Sequence, residues 1–581
     1  MAHNPSGALM DGVERRSIDH VPSTERHGKA WHQGPFWLTG GFMLPSMLIG
    51  FLGPSMGLGM GWSLIAVISG MAFGTLFMAL HANQGPRLGL PQMIQSRAQF
   101  GSRGVIFPLA MAVFIYIGYN VFQMVLVGDA LSMFLPGQKI WYVVLAVVAV
   151  VIAVVGHDLL HTVQRYFSYL TMTIFAVVTV AAVLHYPMGD ATPVATGFSG
   201  AAFLAQFAAV GGYQISYGIY VSDYSRYLPE NIPDGKLIGW TFLGGFTGAA
   251  WLGSLGAIFA SYVPAPDALR QLHLVGDTVF PGFGAVAVLA TLPALIGTSG
   301  VNAYGAMLSA TTVLDGIRRV NPTLRLRVVG VCVVGAVGLG ITLSMPASYM
   351  DSFHTFIAVM CYLLVPWTAV NLVDFYVVRR GRYAIADIVD PHGAYGHWAW
   401  RGLTAYFGGF VSMIPFVTLS FYTGPVTKAL GGADLAFAVG LLVSGVLHYV
   451  LARGVDQHDA SSRPRRCVSP RRDAPRPARA GAGRGRAVPR TLRPARAARR
   501  RAPSRVRPGR RRGPGHPGRR GHLHGSGQVG GRDGEVAPFA TGSPRSHSTE
   551  GRAQHGYAHL EGSGALALEG DAHRKVPAAA A

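Results

Sequence analysis

The chain has 581 residues, 50% of them hydrophobic and only 13% charged, against about a quarter charged in soluble domains. Its net charge of +22 is uneven: residues 1–460 carry +2, and the stretch from Ser461 onward carries +20, with 27 basic and 7 acidic residues. A body this apolar, with no Walker loop, His–Glu metal pair or Gly-x-Ser-x-Gly elbow, excludes most soluble enzymes.

Residues 1–35 are polar and hold no short apolar core with a small-residue cleavage site, so no secretory leader is expected and the segment reads as an N-terminal cytoplasmic piece. From 36 to 455 one apolar run follows another, each near the roughly 20 residues that cross a bilayer core. There are twelve: 36–59, 62–82, 104–131, 140–156, 166–186, 200–221, 237–262, 284–309, 327–345, 352–378, 402–422 and 434–452. The cysteines Cys332, Cys361 and Cys467 have neither metal spacing nor the pattern of a disulfide framework.

Basic residues collect on the cytoplasmic side of a membrane protein. With the N-terminus inside, fourteen basic residues fall in the inner turns, and the outer loops hold only Lys139, Arg270 and Lys428. None lies in mid-span. The pattern predicts twelve spans in the cytoplasmic membrane with both ends of the body inside.

The first run contains GFLGPSMGLGMG at 50–61, five glycines around Pro54. In a helix interior Gly costs about 1 kcal/mol and Pro about 3 kcal/mol relative to Ala. Irregular backbone at membrane depth persists where it lines a cavity or is buried in protein, and secondary transporters bind substrate and ion at such broken helices. The alternative is a kink or a close helix–helix contact. Five runs later, AVGGYQISYGIYVSDYSRY at 209–227 is again glycine-interrupted and unusually polar, with Tyr213, Gln214 and Tyr217 inside it. Two interruptions at corresponding positions predict a substrate site between runs 1 and 6, with breaks near Gly53–Ser55 and Gly211–Gly218.

Two further runs carry polar groups. In IGYNVFQ at 117–123, Tyr119 and Gln123 share a helix face and Asn120 adjoins it. In GTSGVNAYG at 297–305, Thr298 and Asn302 are again four apart, with the Ser299 hydroxyl beside them. Asn and Gln amides each carry donor and acceptor, suiting a ring with alternating N–H and C=O groups, while aromatics suit a flat ring. Asp129, Asp223 and Asp374 sit at run ends, where pairing at the rim with Arg226, Arg379 and Arg380 is expected. His81, His157 and His161 fall near inner loops and are expected to be solvated.

On these residues the chain resembles the nucleobase:cation symporter-1 family of cytosine, purine and hydantoin permeases. The resemblance is carried by GPRLGLPQMIQSRAQFGSRG (85–104), SDYSRYLP (222–229), TSGVNA (298–303) and VDFYVVRRGRY (373–383), and it covers the whole membrane body. It implies an all-α membrane protein with a five-plus-five inverted repeat of LeuT type plus two further helices, working by alternating access. It implies that substrate stacks between aromatics on runs 3 and 6, here Tyr119 and either Tyr217 or Tyr213. Gln123 and Asn302 would bond it, and Ser55 at the run-1 interruption would face it. Thr298 and Ser299, with carbonyls near Gly53, would hold Na+ in sodium-coupled members; proton-coupled relatives leave the ion open as H+ or Na+.

Residues 456–581 are rich in Arg, Pro and Gly, and Lys575 is the single lysine among the 27 basic residues beyond Ser461. Without apolar periodicity this tail is expected to be disordered. It reads as a lipid-binding tail, a non-specific nucleic-acid binder, or out-of-frame translation of GC-rich DNA. The scarcity of lysine favours the last, so no specific nucleic-acid partner is expected. The expected activity is cation-driven import of a nucleobase, cytosine or a purine, by a monomer without cofactor or catalytic residues. The alternatives are an importer of allantoin, hydantoin or a thiamine precursor, and a membrane-anchored regulator acting through the Arg-rich tail.

Overall fold

The computed structural model describes residues 19–454 except 156, 190, 318–322, 347–348 and 391. Expectations about Arg15, Arg16, Arg318, Arg319, the tail from 456 and the side chains of His157, His161 and Arg165 lie outside the described residues.

The main helices are α1 (Gln33–Gly41), α2 (Leu44–Ile49), α3 (Met60–Leu80), α4 (Ile106–Ser132), α5 (Gln138–Val155), α6 (His157–His185) and α7 (Gly200–Ser216). They continue with α8 (Gly218–Ser225), α9 (Asp234–Tyr262), α10 (Leu292–Ile317), α11 (Leu324–Leu343), α12 (Tyr349–Val373), α13 (Trp400–Met413) and α14 (Ala436–Ala452). Every expected run contains a helix. Among the described residues six helical segments are long and apolar enough to cross a membrane, or seven if the bent pair Ala30–Gly41 and Leu44–Ser55 is one span. Gln138–Val154, Tyr169–His185 and Ala436–Ala452 are apolar but shorter. The run at 402–422 is not one helix. Pro415 lacks the N–H that a continuing helix needs, and beyond it Thr418–Leu419 pairs antiparallel with Tyr422–Thr423.

The helices sort into two sets by contact. In the first, α1 packs along α9, while α3 lies against both α7 and α9. In the second, α4 packs against α10 and α5, and α11 joins them. Helix α12 touches α7, α13 and α14. The first set closes tightly because glycines replace side chains at its crossings. A Cβ on Gly50 would overlap the carbonyl oxygen of Gly253, and one on Gly256 would overlap that of Met47. Without a strong hydrophobic force between helices in lipid, such close backbone approach supplies the van der Waals contact that holds them.

The same argument explains Gly211 and Gly212. They are not the interruption of run 6 but its packing surface. A Cβ at Gly74 would overlap the Gly211 carbonyl, and a Cβ at Gly212 would lie 2.6 Å from the Cys361 side chain.

The segment after α3 folds back into the bundle instead of out to water. His81, expected to be solvated, is fully buried. Its ring stacks on Trp367 at 5.1 Å and its Nδ1 lies 2.8 Å from the Phe77 carbonyl. Gln84 donates to Asn371 (2.6 Å), Gln92 donates to Gln84 (2.7 Å), and the Trp367 indole donates to Ser96 (3.0 Å). Asp374 does pair with Arg379 at 3.0 Å as expected, but it is 1% exposed and not at a wet rim. His448 (3.1 Å), Gln99 (2.8 Å) and Tyr383 (2.8 Å) complete its shell. A buried carboxylate persists only when paired and hydrogen-bonded in this way.

Candidate functional site

The break in run 1 is ten residues earlier than the Gly53–Ser55 stretch suggested. The two half-helices meet at 67° across Phe42 and Met43. Gly40-Gly41 ends the first half. Met43 is fully extended (φ −134°, ψ 153°), and Pro45 opens the second. Proline suits a first helical turn, where its missing N–H is not needed. The signal was present in GGFMLP at 40–45, a glycine pair followed by proline at the spacing of a stop and a restart. Pro54 lies inside a short helical turn, Leu52–Ser55, and Gly57 beyond it takes φ +81°.

A break exposes carbonyls that lipid cannot satisfy. Here hydroxyls satisfy them. Tyr217 donates to the Gly40 carbonyl (3.2 Å) and Ser46 to the Gly41 carbonyl (2.7 Å). Tyr213 lies between them, 2.9 Å from each hydroxyl. Tyr217 is also where run 6 is interrupted, as the residue between α7 and α8. The two breaks are therefore joined by one chain of hydroxyls. Tyr119 on α4 lies 3.0 Å from the Ser216 hydroxyl, which donates to the Tyr213 backbone carbonyl at 2.6 Å.

Beside this chain lies a cavity of about 790 Å³. Of the residues singled out from sequence, Tyr119, Gln123, Tyr213, Tyr217, Thr298 and Asn302 line it. Gln123 is oriented by Ser299, whose hydroxyl donates to its Oε1 at 2.6 Å, so its amide N–H₂ remains for a ligand. Asn302 faces the cavity from the next turn of α10. The Tyr119 and Tyr213 rings stand 6.2 Å apart at 77°, making a corner and not a parallel clamp.

The other five lie elsewhere. Asn120, with its amide turned to match its neighbours, bonds the α10 backbone at Ser299 (3.1 Å) and Ala303 (3.3 Å). Gln214 donates to Thr75 (2.6 Å) and the Gly245 carbonyl (3.0 Å), tying α7 to α3 and α9. Ser55 is exposed and donates to the Leu52 carbonyl. The Gly53 N–H donates to Gln206 (2.6 Å), and its carbonyl accepts from Met56 and Leu58. Thr298 and Ser299 do not converge: Thr298 points at Met43 Sδ in the break (3.3 Å) and Ser299 at Gln123 on α4. Adjacent helical residues diverge by about 100°, which is why one hydroxyl faces α1 and the other α4.

Ser46, Met43, Gln33, Trp37, Tyr220 and Tyr224 belong to this region and were not anticipated. The tyrosines had a signal. Tyr213, Tyr217, Tyr220 and Tyr224 recur at helical spacing and form one stripe.

The fold can now be placed. The closed structure of Mhp1, described as a nucleobase-cation-symport-1 family transporter with bromovinylhydantoin bound, superposes with TM-score 0.60 at 18% identity, over 76% of this chain and 95% of that one. The inward-facing conformation of Mhp1 matches equally, covering 94% of that chain. A sodium-coupled sialic acid symporter gives TM-score 0.52 at 10% identity. The architecture is thus the LeuT-like fold of a multi-pass membrane transporter. Residues 20–440 match the family described as permeases for cytosine/purines, uracil, thiamine and allantoin, and the chain belongs to that family. Its relatives include the putative purine-cytosine permease YxlA of Bacillus subtilis, 37% identical over 76% of this chain and 96% of its own length. The purine-cytosine permease fcyB of Emericella nidulans is 23% identical over 74% of this chain and 86% of its own.

Proposed function

We propose that this protein is a secondary-active symporter that imports a nucleobase, cytosine or a purine, across the cytoplasmic membrane. The observation that carries this is the meeting of the Gln123 and Asn302 amides with the Tyr119, Tyr213 and Tyr217 rings in one cavity beside a broken helix. A planar heterocycle offers ring C=O and N–H groups to the amides and its face to the rings. Family membership and the names of its relatives support the class of substrate.

The coupling ion is H+ or Na+. The Thr298 and Ser299 hydroxyls are each bonded within the protein, and the break carbonyls of Gly40 and Gly41 accept tyrosine and serine hydroxyls. These bonds use the hydroxyl protons and leave oxygen lone pairs, so they fit either ion. The excess of basic residues in alternate loops supports both ends of the body facing the cytoplasm, and the cavity then opens inward, past the exposed rings of Trp31 and Tyr169. The transporting body is 36–455, and the tail from 456 is not required.

The test is uptake of radiolabelled cytosine, adenine and hypoxanthine by cells lacking their own permeases, with sodium present or replaced, for wild type and Asn302→Ala. Uptake of a base by wild type that the substitution abolishes supports the reading. Protein shown to reach the membrane that takes up none of them overturns it, and allantoin, hydantoin and thiamine precursors come next.

A further inference from the structure

The cavity is longer than one ring needs. It starts at the break and continues along α1 to Trp31 and His32. The amides of Gln123 and Asn302 serve only its inner end. At the other end, beside Trp31 and His32, a second amide stands in the same circumstances. Gln33 is 6% exposed and lines the cavity. Its Oε1 accepts the Trp37 indole N–H at 2.9 Å. Its N–H₂ has no protein partner among the described residues and is left for the cavity. This repeats the inner arrangement, where Ser299 holds the Gln123 oxygen and leaves the nitrogen.

Rings accompany the amide here as well. Phe36 and Tyr224 pack at 4.5 Å, and Tyr220 lines the wall between them and Tyr217. Gln33 is seven residues before Gly40, whose carbonyl Tyr217 caps at the break, a rise of about 10 Å along α1.

We propose that Gln33, with Phe36, Tyr220 and Tyr224, forms a second station for the same planar heterocycle, occupied between the inner site and the face where the N-terminal segment enters. The inference rests on the nucleobase reading above. A ring leaving the inner site would otherwise shed its hydrogen bonds and its stacking in one step. The second station offers an N–H donor to a ring carbonyl or ring nitrogen, and apolar faces to its π surface, half-way along. Trp37 holds the Gln33 amide in the orientation that presents the donor.

Equilibrium binding of radiolabelled cytosine, adenine and hypoxanthine to the purified full-length chain tests this. For the base that binds, wild type should take up two molecules per chain at saturation, one tighter than the other. Asn302→Ala should remove the tighter and Gln33→Leu the weaker, with the remaining affinity unchanged. In uptake, Gln33→Leu should lower the maximal rate by about three- to tenfold, the range expected for one lost hydrogen bond, and leave KM alone. Phe36→Ala, which spares the Gln33–Trp37 bond, should do the same. One molecule per chain in wild type, or a Gln33→Leu chain identical to it, overturns the second station while the transport reading stands. Wild type that binds none of the three bases removes the nucleobase reading, and this inference with it.

Discussion

The Tyr217 hydroxyl sits 3.2 Å from the Gly40 carbonyl, so the interruption of one helix caps the broken end of another. Through Tyr213 the same hydroxyl reaches Ser46, on the far side of the break. Tyr217 thus ties α7–α8 to both halves of the first span. Tyr217→Phe keeps the ring and removes the bond, leaving the half-buried Gly40 carbonyl at the cavity wall without its hydroxyl partner, at about 1–3 kcal/mol. Uptake should fall by about five- to a hundredfold. A transport assay normalised to membrane protein checks this, and near-wild-type uptake would show that the chain of hydroxyls is incidental.

Among the described residues Asn302 has no side-chain hydrogen bond that its loss would break, and it faces the cavity. Asn302→Ala should weaken base binding by about 1–3 kcal/mol while leaving the thermal midpoint in detergent unchanged. A fall in the midpoint with binding preserved would make Asn302 a structural residue.

Ser299→Ala frees the Gln123 oxygen that Ser299 now occupies. The Gln123 amide can then rotate and present acceptor as well as donor. The expected result is broadened selectivity among cytosine, adenine and hypoxanthine, read from competition curves, with total binding retained. An unchanged competition profile would mean that something other than Ser299 sets the amide.

His448→Ala removes one of the partners of the buried Asp374 and leaves Arg379, Gln99 and Tyr383. Stripping a partner from a buried charge costs about 3–5 kcal/mol; the remaining three should hold the loss to the low end of that range. The measurement is thermal unfolding in detergent, where a midpoint lowered by several degrees is expected. Neither His448 nor Asp374 is among the residues that line the cavity, so uptake per folded molecule should hold.

Gly256→Val should fail at assembly. Its side chain would occupy the space of the Met47 carbonyl, where α2 and α9 touch backbone to backbone. Overpacking of this kind has no flexible neighbour to yield. Fluorescence-detected gel filtration should show little monodisperse protein, and a normal peak would mean that α2 can move aside.

Much of this protein was legible in its residues because the bilayer imposes a strong rule. Backbone groups in lipid must bond within their own helix, so apolar runs near membrane length can be little else. The helical runs and the pairing of runs 1 and 6 came from that rule and from local spacing. What the sequence did not rank was which interruption breaks a helix and which lets two helices touch. Gly53-Pro54, Gly211-Gly212 and GGFMLP all carry the mark of an interruption, because glycine serves both purposes with the same local signature. Only the position of the neighbouring helix decides. Gly212 faces Cys361 and is packing; Gly40 and Gly41 end a helix whose carbonyls Tyr217 and Ser46 cap. The same holds for Thr298 and Ser299, adjacent in the chain and turned by helical geometry toward different partners. Local chemistry determined which side chains were available to a site. The packing of one helix on another determined which of them it received.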